Sequence, residues 1–179
     1  APTRRYGEQD CWRALSVVLD PELDEPITDL GFVRSLQVRD EQVDGTQVTV
    51  HLRLPTSFCS PNFAYLMASD SKDALERLPW VDRVVVELDD HHDSDLINAG
   101  LAADAGYRGT FGHEAEKDLE DLRATFRRKA HTAAAERALT TLLRSDDTWS
   151  ESDVGDVTLA DLREERTTAA LLRRRAALG

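Results

Sequence analysis

The change of hydrophobic period across Leu54 to Pro61 constrains this chain more than any other stretch. Gln47 to Leu54 alternates through Val48, Val50, Leu52 and Leu54, the pattern of a half-buried strand. Pro55 ends it, and Ser60-Pro61 reads as an N-cap followed by proline at the first helical position. Phe63, Leu66, Met67, Ala74, Leu75 and Leu78 then recur at helical spacing until Pro79. The loop between the two periods carries Cys59. A thiol beside a helix N-terminus lies near the positive end of the macrodipole, which favours the thiolate, a form able to hold a metal or act as a nucleophile. Free cysteine is also among the most buried residue types, so simple packing is the competing reading.

Upstream, residues 8 to 19 place Trp12, Leu15, Val18 and Leu19 at helical spacing between Gly7 and the breaker Asp20-Pro21. Cys11 lies beside that face, and packing is its preferred reading. Residues 20 to 31 are dense in carboxylates and turn residues, with Asp20 able to cap a turn and Asp29 to bond its backbone. Phe32 to Arg39 alternates with one phase slip near Arg34-Ser35, and Asp44-Gly45 signals a hairpin. Val81 to Leu88 is a third strand, and Val84-Val85-Val86 suggests burial on both faces. The order is helix, strand, strand, helix, strand. It predicts a small α/β (α+β) domain with a three-stranded mixed sheet over residues 1–90. The last strand lies parallel to a member of the hairpin, and the acidic loop and the Cys59 loop meet at one sheet edge.

Composition excludes some functions. The net charge of −12 argues against binding nucleic acid or an anionic membrane, which depends on neutralising phosphates with Lys and Arg. No apolar run approaches the roughly 20 residues of a membrane span, and Ala1-Pro2-Thr3-Arg4-Arg5 lacks an apolar signal segment. The expected location is cytoplasmic, with Cys11 and Cys59 as free thiols.

Three motifs resemble one family. Val-Leu-Asp-Pro-Glu-Leu at 18–23, Ile-Thr-Asp-Leu-Gly-Phe-Val at 27–33 and Leu-Pro-Thr-Ser-Phe-Cys-Ser-Pro at 54–61 are similar to the metal-sulfur cluster assembly domain. That domain occurs in cytosolic iron-sulfur targeting factors, bacterial cluster-assembly accessory proteins and the phenylacetate-degradation D protein. The resemblance spans residues 8 to 89. It implies a role in maturing iron-sulfur or related metalloproteins, with Cys59 as the key residue and Asp20, Glu22, Asp29, Gly31 and Thr56 lining the same pocket. Where the family often has Cys-Pro, this chain has Cys59-Ser60-Pro61. It also has no cysteine after Cys59, unlike the zinc segment of the phenylacetate relative. One thiolate cannot hold a cluster that usually takes four cysteines, so a transient cluster or iron needs a second protomer, a partner or carboxylate help.

Residues 91–179 read as a mostly helical extension. His91, His92, His113 and Glu116 are candidate metal ligands, although adjacent His91 and His92 cannot point the same way from a strand. Leu96, Ile97, Leu101 and Ala102 suggest a short helix. Tyr107, Arg108 and Phe111 suit either docking to a partner or packing on the domain's own surface. Glu114 to Arg144 is a long helical pattern with Leu119, Leu122, Phe126, Ala130, Ala133, Leu139, Leu142 and Leu143 on one stripe. Residues 146–153 form a polar linker with Trp149, and a last helix is expected from Thr158, capped with Asp161, to about Leu178. The two helices either pair as a hairpin or lie against another protein. Arg173-Arg174-Arg175 keeps a helix end soluble or meets an acidic partner.

The function expected is therefore a non-enzymatic accessory factor in maturation of iron-dependent metalloproteins, acting through Cys59 and docking its client with the C-terminal helices. The alternative is a stable auxiliary subunit of an iron-dependent, di-iron oxygenase complex. A thiol enzyme would need a base beside Cys59, and His51 is the nearest in sequence.

Overall fold

The computed structural model describes residues 3–41, 43–56, 59–112 and 119–179, with side chains from Gly7 onward. The chain forms two compact units, one of residues 1–20 and 25–119, the other of residues 21–24 and 120–179.

In the first unit, helix α1 (Thr3–Leu15) is followed by strands β1 (Val33–Glu41) and β2 (Gly45–Arg53), helix α2 (Pro61–Glu76), strand β3 (Arg83–Asp89) and helices α3 (Ser94–Ala102) and α4 (Gly106–Phe111). The sheet order is β1-β2-β3, with β1 antiparallel and β3 parallel to β2. This is the mixed sheet the hydrophobic pattern predicts, with α2 as the crossover. The phase slip is a β-bulge: Val33 pairs with Leu52 and Ser35 with His51, leaving Arg34 as the extra residue. β3 is buried on one face, through Val84, Val86 and Leu88, while Val85 is half-buried. The expected burial on both faces is therefore corrected: the other side of the sheet, with Thr49, His51, Val85 and Glu87, is only partly buried.

α1 starts earlier and ends sooner than residues 8 to 19. Its buried residues are Cys11 and Leu15, with Val18 just beyond, whereas Trp12 and Leu19 are exposed. Ending the helix at Leu15 turns Leu19 outward, because Val18 and Leu19 instead pair in extended form with Ile27 and Pro26.

The first unit runs past residue 90 because α3 and α4 pack on it. Asn98 on α3 accepts from Leu88 N–H (2.8 Å) and donates to Leu88 C=O (3.1 Å), so its amide stands in for a neighbouring strand at the sheet edge. Gly100 lets α4 approach, since a methyl group there would collide with Thr110. Tyr107 is buried, stacks near Tyr65 and Phe111, and donates to Asn62 Oδ1 at 2.6 Å. Of the two readings of this segment, packing on the domain's own surface is the one Tyr107 follows.

The second unit contains α5 (Leu119–Ser145) and α6 (Arg166–Ala176). The buried residues of α5 are Leu122, Phe126, Ala130, Ala134, Ala138 and Leu142, a narrower row of fourth residues than expected. Leu119, Ala133, Leu139 and Leu143 flank it half-buried. Ala134 and Ala138 pack with Leu171 of α6, so the two helices pair. The expected start of the last helix at Thr158 is corrected. Thr158 and Asp161 do form a capping box, but it caps a single 3-10 turn, Leu159–Asp161, and Leu162 then turns extended. The linker holds a second such box, Ser150 with Asp153, opening the turn Glu151–Asp156. Arg173 and Arg174 find their acidic partner within the chain, the carboxylate of Asp24.

Candidate functional site

Three segments leave the same end of the sheet. Arg53 N–H donates to Phe32 C=O at 2.8 Å, and Arg53 pairs in register with Asp89. The turn before β1, the Cys59 loop after β2 and the corner after β3 are therefore neighbours, which the hairpin geometry foretold for the first two.

The turn before β1 is built by backbone bonds. Asp29 N–H donates to Pro26 C=O at 3.0 Å and Phe32 N–H to Ile27 C=O at 3.0 Å. Gly31 adopts φ 72°, a left-handed conformation that a side chain disfavours, so the glycine is what lets the turn close onto β1. Asp29 is exposed and its carboxylate accepts from Thr28 Oγ1 at 3.4 Å. Asp20 N–H donates to Glu25 C=O at 2.9 Å, closing the acidic loop at its base. Glu22, at the tip of that loop, belongs with the second unit. The expected pocket set is thus divided: Asp20, Asp29, Gly31, Thr56 and Cys59 share one unit, and Glu22 does not.

Cys59 is half-buried and directly precedes Ser60, the N-cap of α2. Pro61 occupies the first helical turn and Ala64 N–H closes the first bond onto Ser60 C=O at 3.0 Å. The Ser60 side chain makes no capping bond. The helix entrance is therefore without the usual hydroxyl cap. Cys59 N–H meets Thr56 C=O at a long 3.5 Å. Its own carbonyl has a much better partner, Nε2 of His91 at 2.7 Å.

Of the two adjacent histidines, His91 is the one turned inward. It is buried while His92 is exposed, as their adjacency required. Its Nδ1 accepts from Asp93 N–H at 3.0 Å, so both ring nitrogens are engaged and neither is left for a metal. His113 and Glu116 lie outside the described residues. Among the described residues, no three His, Cys, Asp or Glu side chains converge as a metal-holding group. The signal for His91 was available in principle: a histidine at the end of a parallel strand lies beside the loop that follows the neighbouring strand.

Three cations at this end of the sheet pair with carboxylates. His51 Nδ1 lies 3.0 Å from Asp89 Oδ1, and Arg34, re-aimed by the bulge, lies 3.0 Å from Asp89 Oδ2. Arg53 pairs with Asp90 at 3.1 Å. His51 sits on the central strand of the sheet, not at an edge, and Asp89 is its partner. The other thiol is of a different kind. Burial, with Asp10 and Glu8 nearby, pushes Cys11 up to about 12, so it stays protonated and inert.

Among the described residues no helix is long and apolar enough to cross a membrane. Comparison with known proteins agrees with the motifs. A solved structure, Rv1466 from Mycobacterium tuberculosis, described as a protein associated with Fe-S complex assembly and repair, is similar at 25% identity. The match covers 53% of this chain and 82% of that one, with a TM-score of 0.36. No curated protein matches the chain. Residues 8–88, a little under half of the chain, match the family described as iron-sulfur cluster assembly protein.

Proposed function

We propose that the chain is a non-enzymatic accessory factor in the maturation of iron-sulfur or other iron-dependent metalloproteins, with Cys59 as its working thiol. The family match supports a role in cluster assembly. The observation that carries the finer reading is the state of Cys59: half-buried, just outside a helix start and held by its backbone at the sheet end where three loops gather. A lone thiolate there suits transfer or docking, since a complete cluster needs more ligands than this site supplies. A thiol enzyme is disfavoured, because His91, the histidine bonded to the Cys59 backbone, has both ring nitrogens on backbone groups. The helices of the second unit would select the client, a metalloprotein such as an iron-dependent oxygenase, and the family match does not extend to them.

Affinity purification from the native host, with iron and sulfide analysis, tests the reading. Transient cargo predicts client enzymes captured with sub-stoichiometric iron, and Cys59→Ser should abolish maturation of those clients. Unchanged client activity with Cys59→Ser overturns the role of the thiol. A fixed-stoichiometry complex that forms equally well with Cys59→Ser would instead identify a stable auxiliary subunit.

A further inference from the structure

The corner after β3 is over-determined for a loop with no catalytic side chain of its own. Asp90 holds φ 52°, a left-handed conformation that aspartate tolerates at some cost. His91 N–H donates to Ser94 Oγ at 3.0 Å, and Ser94 N–H returns a bond to His91 C=O at 3.2 Å. His91 is buried, at 8% exposure. One of its two neighbours settles the tautomer. The Asp93 backbone N–H can only donate, so Nδ1, 3.0 Å away, must be the acceptor. The proton of the neutral ring is then on Nε2, where it is donated to the Cys59 carbonyl at 2.7 Å.

Cys59 depends on this contact. Its N–H bond to Thr56 is long at 3.5 Å, and the following N-cap residue makes no side-chain cap. Among the described residues, the bond from His91 is the shorter of these two backbone ties, and it joins the Cys59 loop to the end of a different strand. A carbonyl held in place fixes the peptide plane that follows Cys59, and so the frame from which its thiol projects.

We propose that His91 is the positioning residue of Cys59, a neutral buried imidazole that clamps the Cys59 carbonyl and sets the direction in which the thiol meets client or cargo. This rests on Cys59 being the working thiol, but its test needs neither client nor cluster. His91→Phe keeps the ring's bulk and removes both polar atoms. His91→Gln keeps one donor and one acceptor. Loss of a single neutral hydrogen bond opens a site by about 2- to 10-fold. His91→Phe should therefore speed alkylation of Cys59 by iodoacetamide, and amide exchange over residues 59–64, by about that factor, while exchange in β2 stays at the wild-type rate. His91→Gln should return both toward wild type. A purely structural role would instead raise exchange in β2 and in the loop together, and that outcome overturns the proposal. So does wild-type alkylation and exchange in His91→Phe. Should His91→Phe fail to fold, imidazole nitrogen NMR of the wild-type protein decides. A protonated Nε2 with a bare Nδ1 supports the clamp, and the opposite tautomer sinks it. Failure of Cys59→Ser to affect maturation would overturn the functional reading and leave these measurements untouched.

Discussion

The two units are held together by different means. In the first, Leu15, Ile27, Leu52, Leu75, Leu88 and Ile97 are wholly buried, and each contributes about 1.5 to 3 kcal/mol by leaving water. In the second, the helices meet through Ala134 and Ala138 against Leu171. Alanine allows close helix approach but removes little apolar surface at that contact, and polar locks add to it: the Asp24 to Arg174 pair and two capping boxes. A large-residue core tolerates loss of a polar contact better than a small-residue one does.

Truncation of a core leucine gives the largest expected effect. Leu75→Ala should cost about 3 to 4 kcal/mol in the first unit, by lost transfer energy and the cavity left behind. Denaturant unfolding followed by β2 amide exchange would measure it. Leu171→Ala should cost less, near 2 kcal/mol, and should raise exchange in α5 while Cys59 alkylation keeps its rate. Equal losses from the two variants would remove the contrast between the cores.

The polar lock comes next. The Asp24 side chain is 6% exposed and that of Arg174 is 13%, whereas that of Arg173 is 62%. Asp24→Asn retains the left-handed backbone that residue 24 adopts, φ 57°, and removes only the charge. Stranding a mostly buried guanidinium should cost about 2 to 3 kcal/mol, short of a fully buried pair because Arg173 reaches solvent. The loss should appear as faster exchange in α6. A change below about 0.5 kcal/mol would reduce the pair to an ordinary surface ion pair.

Asn98→Ala offers the matching test in the first unit. It leaves the N–H and C=O of Leu88 without their amide partner, a cost of about 2 kcal/mol where water does not reach them. Protection at Leu88 should fall first, since α3 supplies that bond from outside the sheet. Unchanged protection there would mean that water replaces the amide without loss.

How far the sequence revealed these arrangements follows from the range of the forces involved. Periodicity found all three strands, the bulge at Arg34 and the start of α2, because local sterics and one-sided burial set them. The family motifs found Cys59, Asp29 and Gly31 because each is part of a turn whose geometry is written in adjacent residues. Asn98 and the partner of Arg174 were invisible for the opposite reason: each acts on a backbone or charge that only the tertiary fold brings near. Thr158 was legible as a cap and misread as to what it caps. A capping box specifies one turn, and propagation into a helix depends on the residues that follow. Here Leu162 turns extended against α5, and the helix restarts at Arg166.

The smallest expected effect separates the units by pH. In the second unit, Asp146, Asp153 and Asp161 are all held below the usual carboxylate range, each first by a hydroxyl and then by a backbone N–H, from Thr148, Ser150 and Thr158 respectively. A carboxylate depressed in the folded state stabilises it above the unfolded value of 3.8 and loses that contribution as pH falls through the folded one. The first unit carries the reverse case. Cys11 is raised from 9.0 to about 12, so its contribution is whole below pH 9 and declines as pH climbs toward 12. Acid should therefore loosen residues 145–162 before the sheet, and alkali should loosen α1 before α5, both readable as amide exchange or limited proteolysis. Replacing Ser150 and Thr158 by alanine should flatten the acid response and leave the alkaline one alone, whereas Cys11→Ala should do the opposite. If acid opened α1 as early as residues 145–162, the capping boxes would not be what ties the second unit to the charge state of its carboxylates.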